Sequence, residues 1–237
     1  MHAPRTDVSA APRVLHRGRV HLLALATLAG VGYCVLTVVA LHVLRADVDP
    51  IQRAVSDYAV GRYGAAFTVA LVVRAVAAVC LGLGLIQTLT VRTRLAVALL
   101  AIYAVCDLLI AVFPADGPGI AHTFIGITHL FFAGGSFLAV TGAAFAFARA
   151  FGRDPLWHRF QRTAYALAFL VLAGLAMQVV ALILLAFTSL NGLAERVFIA
   201  TEMTWLAAVA IRLYTLPLRD HPRLPRAHTW VWHRLCA

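Results

Sequence analysis

The chain has 237 residues, of which 62% are hydrophobic and only 13% are charged. Soluble domains carry about a quarter charged residues, so this composition excludes an ordinary soluble domain and favours a membrane protein. All 20 basic residues are arginine, and the formal net charge is +10. The arginines gather in and beside the segments that connect apolar blocks, which argues against nucleic-acid binding.

Six continuous apolar blocks are each long enough to cross a bilayer, which takes about 20 residues. Continuous blocks predict helices, because barrel strands would be short and alternating. We predict an all-α, six-helix transmembrane bundle over residues 20–216, between a disordered N-terminal tail at 1–19 and a basic C-terminal tail at 217–237. The predicted spans are 20–44, 64–89, 95–113, 123–148, 163–187 and 194–216.

The arginines lie mostly on one side of this six-span bundle. Fifteen of the 20 fall in or beside the two tails and in the second and fourth linkers. Cytoplasmic segments of membrane proteins are enriched in arginine and lysine, so both termini are predicted to be cytoplasmic. We expect a multi-pass protein of the plasma membrane with membrane lipids as its neighbours.

Three ionisable residues interrupt the apolar spans: Arg74, Asp107 and Glu202. An ionised side chain at bilayer depth costs about 2.5 kcal/mol or more unless it is paired or hydrated. At a rise of about 1.5 Å per residue, these three residues and His129 lie at similar depths in the outer half of the bilayer. We therefore predict that Arg74 contacts one or both carboxylates. Asp107, His129 and Glu202 are the candidates for acid–base chemistry or a proton relay.

The fourth span has one small, polar face that should point into the bundle. Its members follow a helical 4, 3, 4, 3 spacing: His122, Gly126, His129, Ala133 and Ser136. On the sixth span Glu195 lies seven residues before Glu202, which places it at the mouth of the same site. The candidates for substrate binding are Arg74, Ser56, Asp57, Tyr58, Asp116, His122 and Glu195.

The histidines do not predict a metal or haem site. His122 and His129 are separated by roughly 10 Å along a helix axis, which is far for one ion bound about 2.1 Å from each nitrogen. No other span carries a histidine at matching depth to complete a haem site. No glycine loop that cradles phosphate is present either. We expect no metal and no other cofactor.

Several motifs, taken in chain order, resemble a bacterial six-helix membrane family. They are Ser56-Asp57-Tyr58-Ala59-Val60-Gly61, a charged span, Asp107 ahead of Phe113-Pro114-Ala115-Asp116, and His122 followed by His129. The family is catalogued as domain of unknown function 998, and the resemblance covers residues 20–215. It implies a six-helix membrane fold and no established activity.

Three functions stay open for such a site. The first is binding or transport of a small polar or amphipathic molecule from the outer face, linked to protons by the acid–base residues. The second is an intramembrane enzyme of hydrolase, transferase or cyclase type that acts on a lipid or isoprenoid. The third is a structural or assembly protein whose charges only fix helix packing.

Each function predicts a different shape for the site. Transport predicts access from both sides, and Gln87 and Gln178 are the only polar candidates for the inner half. An enzyme predicts a one-sided pocket with a lateral opening to lipid. A structural role predicts a closed and fully paired network.

Overall fold

The computed structural model describes residues 17–117, 123–183 and 190–218. These residues form no strand, and they contain six helices that are long and apolar enough to cross a membrane. The helices are α1 (Arg17–Leu44), α2 (Gly64–Thr88), α3 (Arg94–Val112), α4 (Phe124–Phe151), α5 (Gln161–Ile183) and α6 (Asn191–Tyr214). The predicted all-α six-helix bundle is confirmed, and the apolar helices indicate a multi-pass membrane protein.

The helix ends differ from the predicted spans by a few residues. α1 begins at Arg17, within the segment predicted to be a disordered tail, and α4 continues past the predicted end at 148 to Phe151. Hydropathy marks the part of a helix that suits lipid, whereas backbone hydrogen bonding continues into the polar flanks. Residues 1–16 and 219–237, which hold most of the two predicted tails, lie outside the described residues.

Consecutive helices pack side by side, and α6 returns to contact α1, so the helices form a closed ring. The short linkers between them make neighbouring helices antiparallel. The bundle therefore has a terminal end, where Arg17 and Leu218 lie, and a distal end, which carries residues 45–63 and the first turns of α4 and α6.

Aromatic packing and one buried carboxylate close the terminal end. The rings of Phe151 and Trp157 stack with centroids 4.4 Å apart, and both side chains are fully buried. Asp154 accepts hydrogen bonds from the backbone N–H and the hydroxyl of Thr90, each at 2.8 Å. These bonds tie the linker after α4 to the linker after α2.

Residues 45–63 fold over the distal end and form what we call the roof. Arg45 donates hydrogen bonds to the carbonyl oxygens of Val60 (2.8 Å) and Arg62 (2.9 Å), and it pairs with Asp47 at 2.8 Å. The hydrogen bonds from Arg45 lower the pKa of the Asp47 carboxyl below its ordinary value. Arg45 thus holds the two ends of the roof together.

The roof rests on the first turn of α6. The backbone N–H of Leu193 donates to the carbonyl oxygen of Ile51 at 2.9 Å. A Cβ atom placed on Gly192 would lie 2.2 Å from the carbonyl oxygen of Arg53. Only glycine permits so close an approach of two backbones.

Candidate functional site

Arg74, Asp107 and Glu202 meet near the middle of the bundle, on α2, α3 and α6. The Nε and Nη2 atoms of Arg74 each lie 2.7 Å from an oxygen of Asp107, which makes a bidentate pair. Nη1 of Arg74 lies 3.3 Å from Oε1 of Glu202. Both carboxylates are fully buried, and the Arg74 side chain is 9% exposed. Arg74 therefore contacts both acids, as its depth in the sequence predicted.

Two hydroxyl groups complete this group of residues, which we call the Arg74 cluster. Ser136 on α4 donates to Oδ1 of Asp107 at 2.9 Å, and Tyr103 on α3 donates to Oε1 of Glu202. The helical spacing of the fourth span predicted an inward position for Ser136, but Tyr103 was not predicted as a site residue. A signal for it existed, because Tyr103 precedes Asp107 by four residues and shares its helix face.

A cavity of about 220 Å³ lies between the Arg74 cluster and the roof. Its wall comes mainly from α1, α2, α4 and α6. Fourteen of the 20 lining residues are apolar. The polar lining residues are His42, Ser56, Arg74, His129, Glu195 and Arg196.

The cavity opens through the side of the bundle, between α1 and α6. Val35 and Val39 on α1 line it, and they are 44% and 56% exposed. Ala200 on α6 lines it as well and is also exposed. Because these residues belong to the apolar outer surface, the opening faces the region that lipid would occupy.

The cavity is closed toward both ends of the bundle. Val55 and Ser56 of the roof cover it on the distal side, and Arg74 lies at its floor. Among the described residues, the lining reaches no further toward the terminal end than Met203, just past the midpoint of α6. The cavity is therefore one-sided.

The inner-half position predicted for Gln178 was wrong. Its Nε2 donates to Oδ1 of Asn191 at 3.0 Å, and Asn191 begins α6 at the distal end. Gln178 lies past the midpoint of the predicted span at 163–187, so its place in the distal half could have been counted from the sequence. Gln87 bonds only the carbonyl oxygen of Leu83 in its own helix. Neither glutamine extends the cavity.

Two histidines line the cavity, and they differ in whether the ring nitrogen Nε2 has a hydrogen-bond partner. Nδ1 of His42 donates to the carbonyl oxygen of Val38 at 2.6 Å, and its Nε2 accepts from Nε of Arg196 at 2.8 Å. Nδ1 of His129 donates to the carbonyl oxygen of Phe113 at 2.9 Å. A carbonyl oxygen only accepts, so in each neutral ring Nε2 carries the lone pair. No described residue bonds Nε2 of His129.

Arg196 and Glu195 join the roof to α6 at the cavity wall. Nη1 of Arg196 donates to the carbonyl oxygen of Arg53 at 2.6 Å, and Nη2 donates to Oη of Tyr58 at 3.2 Å. Among the residues that the structure describes, Arg196 forms no salt bridge, so neutral acceptors surround its charge. The backbone N–H of Val55 donates to Oε2 of Glu195 at 3.0 Å.

The structure divides the predicted site residues into two groups. Ser56, Arg74, His129 and Glu195 line the cavity, whereas Asp57, Tyr58, Asp107, Asp116 and Glu202 do not. Asp57 pairs with Arg53 inside the roof at 2.6 Å. Asp116 accepts a hydrogen bond from the backbone N–H of Thr123 at 2.9 Å, at the start of α4. His122 lies outside the described residues, among which no group of three or more potential metal ligands is arranged around one point.

Sequence reasoning also missed His42 and Arg196 as site residues. Arg196 lies near the start of the predicted sixth span and His42 near the end of the first, and neither was predicted as a site residue. Their shared position at the distal ends of α6 and α1 was a usable signal. Only the contact between these helices brings the two side chains together.

A family model described as a protein of unknown function (DUF998) matches residues 28–212. The chain belongs to this family. The matched range contains all the residues that line the cavity and all five residues of the Arg74 cluster. The family resemblance based on the motifs is thereby confirmed. Neither a curated protein nor a solved structure matches the chain. DUF998 membership names no activity, so function has to be argued from the site.

Proposed function

We propose that this DUF998 protein binds an amphipathic small molecule or a single-chain lipid in the cavity between the roof and the Arg74 cluster. The observation that carries the proposal is the wall itself, in which fourteen apolar and six polar residues enclose one space. Sites with a mostly apolar wall and a few placed polar groups bury a hydrocarbon and orient its polar end.

The positions of the wall residues favour one orientation of the ligand. Ser56 belongs to the roof, and Glu195 and Arg196 lie in the first two turns of α6. His129 lies in the first two turns of α4, so the polar end of the ligand belongs on this distal side of the cavity. Val35 and Val39 lie at the lateral opening, where a hydrocarbon chain would extend toward lipid. A lipid-like ligand would then enter from the side without crossing the roof.

The Arg74 cluster supports the cavity floor in this proposal. Asp107 and Glu202 bond Arg74 from behind and do not line the cavity, so they position its guanidinium group. Breaking such a buried pair is costly, which suits a structural element. A proton relay that reaches the ligand through these two carboxylates is therefore not part of the proposal.

The one-sided cavity favours binding over transport. A transport path needs polar groups on both sides of the central site, and the described terminal half offers aromatic packing instead. We accordingly assign the site to ligand capture from the bilayer.

The test uses a fluorescent single-chain polyene probe and the purified protein in nanodiscs. Val39→Trp fills the lateral opening and should weaken probe binding at least tenfold. Leu36→Trp is the matched control, because Leu36 is 70% exposed on the same helix and does not line the cavity. Equal binding by wild type and Val39→Trp, or equal losses in both variants, would reject the cavity as the binding site.

An intramembrane enzyme acting on a lipid is the second candidate function. The observation that favours it is the open Nε2 of His129 in a one-sided, side-opening cavity. A base placed in this way can accept a proton from water or from a substrate hydroxyl group. Conversion of a polyene ester by wild type, lost in His129→Asn, would establish turnover, whereas recovery of unchanged ester would favour binding alone.

We further propose that the protein lies in the plasma membrane with both termini cytoplasmic, which turns the roof outward. In the described chain, the terminal end carries Arg17, Arg19, Arg92, Arg94, Arg149, Arg153, Arg159, Arg162 and Arg212, whereas the distal end carries Arg45, Arg53, Arg62 and Arg196. This asymmetry follows the positive-inside rule. A reporter fused after Ala237 should be active only in the cytoplasm, and activity on the other side would reject this orientation.

A further inference from the structure

We infer that the polar end of the bound molecule is a neutral hydroxyl group that donates a hydrogen bond to Nε2 of His129. This inference rests on the proposed function and adds the chemical class of the ligand. The expected class is a long-chain or isoprenoid alcohol, or another single-chain lipid with a hydroxyl head.

His129 presents a hydrogen-bond acceptor to the cavity. The residue is 3% exposed and lines the cavity wall. Its Nδ1–H is committed to the carbonyl oxygen of Phe113, which leaves the lone pair on Nε2. No described side chain or backbone group donates to that nitrogen. Nε2 of His129 is not among the unpartnered polar atoms that the described residues bury completely, so it is accessible from the cavity. A ligand with an O–H group can therefore reach it and add a hydrogen bond.

His42 shows what the same ring does when the protein supplies the donor. Its Nδ1 also bonds a backbone carbonyl oxygen, but Arg196 donates to its Nε2 at 2.8 Å. Both histidines line the same cavity and carry the lone pair on the same ring nitrogen. His42 is thus satisfied from within the protein, and His129 is the one that is open to an external donor.

The surroundings of His129 favour a neutral donor over a charged one. A carboxylate head carries no proton to donate to Nε2 of His129. The two arginines that line the cavity, Arg74 and Arg196, already donate to acceptors within the protein. An ammonium head would donate, but it would have to leave water for a mostly apolar cavity. The one carboxylate among the lining residues, that of Glu195, already accepts a hydrogen bond from the backbone N–H of Val55. Moving an ion into such a space costs far more than moving a hydroxyl group.

The experiment compares four probes that share one fluorescent polyene chain and end in an alcohol, its methyl ether, a carboxylic acid or a primary amine. The methyl ether keeps the oxygen and lacks the donor. With wild-type protein in nanodiscs, the alcohol should bind about three- to tenfold tighter than the ether, as expected for one added hydrogen bond. The acid and the amine should both bind more weakly than the alcohol.

Two substitutions at His129 separate the ligand contact from the contact with Phe113. In His129→Asn, the side-chain amide can still donate to Phe113 but nothing reaches the position of Nε2, so the preference for alcohol over ether should disappear. In His129→Gln, the longer amide places an oxygen near that position and should restore part of the preference. The readout is the ratio of alcohol affinity to ether affinity, because the smaller side chain of His129→Asn alters the cavity wall for both probes.

A measurement on wild type keeps the inference falsifiable if the variants fold poorly. With ¹⁵N-labelled histidine, the Nε2 resonance of His129 should move upfield when the alcohol is added and stay in place with the ether. The Nε2 resonance of His42 serves as the internal reference, since its donor comes from Arg196.

The outcomes distinguish this inference from the proposed function. If alcohol and ether bind equally and Val39→Trp weakens both, the cavity binds amphiphiles but the hydroxyl inference is wrong. Tightest binding of the acid or of the amine would overturn it as well and would assign a charged head. If none of the four probes binds, the proposed function fails, and the inference fails with it.

Discussion

The Arg74 cluster and the roof side of the cavity contain similar residue types on opposite sides of one cavity, but they differ in how these residues are hydrogen-bonded. In the cluster, Arg74 is shared between two carboxylates that also accept bonds from Tyr103 and Ser136. Beside the roof, Arg196 forms no salt bridge with a described residue, and Nε2 of His129 has no described partner. The cluster leaves one buried atom without a described partner, Oε2 of Glu202, and this residue does not line the cavity. Buried polar groups that bond one another stabilise the fold, whereas a polar atom exposed to the cavity can bind a ligand.

Removing Arg74 should give the largest effect on the cluster side of this comparison. Arg74→Leu leaves two buried carboxylates unpaired and should lower the free energy of unfolding by about 3–5 kcal/mol. The measurement is reversible unfolding in mixed detergent micelles. Thr204→Leu is the control, because the exposed Thr204 hydroxyl bonds only its own helix, and it should change stability by less than about 0.5 kcal/mol.

The double variant Arg74→Leu with Asp107→Leu sharpens that result. It removes both members of the bidentate pair. It should lower the free energy of unfolding by less than Arg74→Leu alone, and by far less than the sum of the two single changes. A cost equal to that sum would mean that Arg74 and Asp107 do not stabilise each other.

The same small substitution should act differently in the two regions. Ser136→Ala removes a donor to the buried Asp107 and should cost about 1.5–3 kcal/mol of unfolding free energy. Ser56→Ala should cost less than about 0.5 kcal/mol, because the Ser56 hydroxyl lines the cavity and bonds no described group. Ser56→Ala should instead weaken binding of the probe. Equal stability losses in the two variants would remove the distinction between the regions.

The attachment of the roof to α6 tests whether the roof side depends on one close contact. Gly192→Ala forces a Cβ atom against the backbone of Arg53 and should destabilise by about 1–3 kcal/mol. Faster hydrogen exchange should then be confined to the roof. Gly134→Ala is the control in a helix with nothing within 4 Å, and it should stabilise by up to about 1 kcal/mol. If hydrogen exchange became faster throughout the bundle, the roof would not unfold independently of the helices.

A further comparison concerns Asp116, which lies outside both regions and should affect stability alone. Asp116→Ala removes an acceptor at the start of α4 and should cost about 0.5–2 kcal/mol of stability. Probe affinity should be unchanged, because Asp116 does not line the cavity. A loss of probe affinity without a loss of stability would show that Asp116 contributes to ligand binding.

Local patterns in the sequence were enough to predict the fold and the Arg74 pairing. Each apolar block is a property of consecutive residues, and helix formation satisfies the backbone of each block by itself. The depths of Arg74, Asp107 and Glu202 follow from counting along those helices at about 1.5 Å per residue. An intramembrane arginine at the depth of two acidic residues has few other possible partners, so the contact of Arg74 with Asp107 and Glu202 could be predicted.

The level of Gln178 was predicted wrongly. Hydropathy predicted the fifth span at 163–187, but α5 is described over Gln161–Ile183, and Gln178 bonds the first residue of α6. The hydrogen bond to Asn191 places Gln178 at the distal end by a contact between two helices, which hydropathy along one span does not record.

The sequence by itself determined six helices, their antiparallel order and which polar residues lie inside them, because these depend on local hydropathy and short linkers. Only the tertiary structure decided that Asp107 and Glu202 lie behind Arg74, that Arg196 satisfies His42, and that Nε2 of His129 remains open. Those outcomes depend on the rotation of each helix about its axis and on how the roof packs against α6. Both are set by contacts between residues more than a hundred positions apart, which no local pattern records.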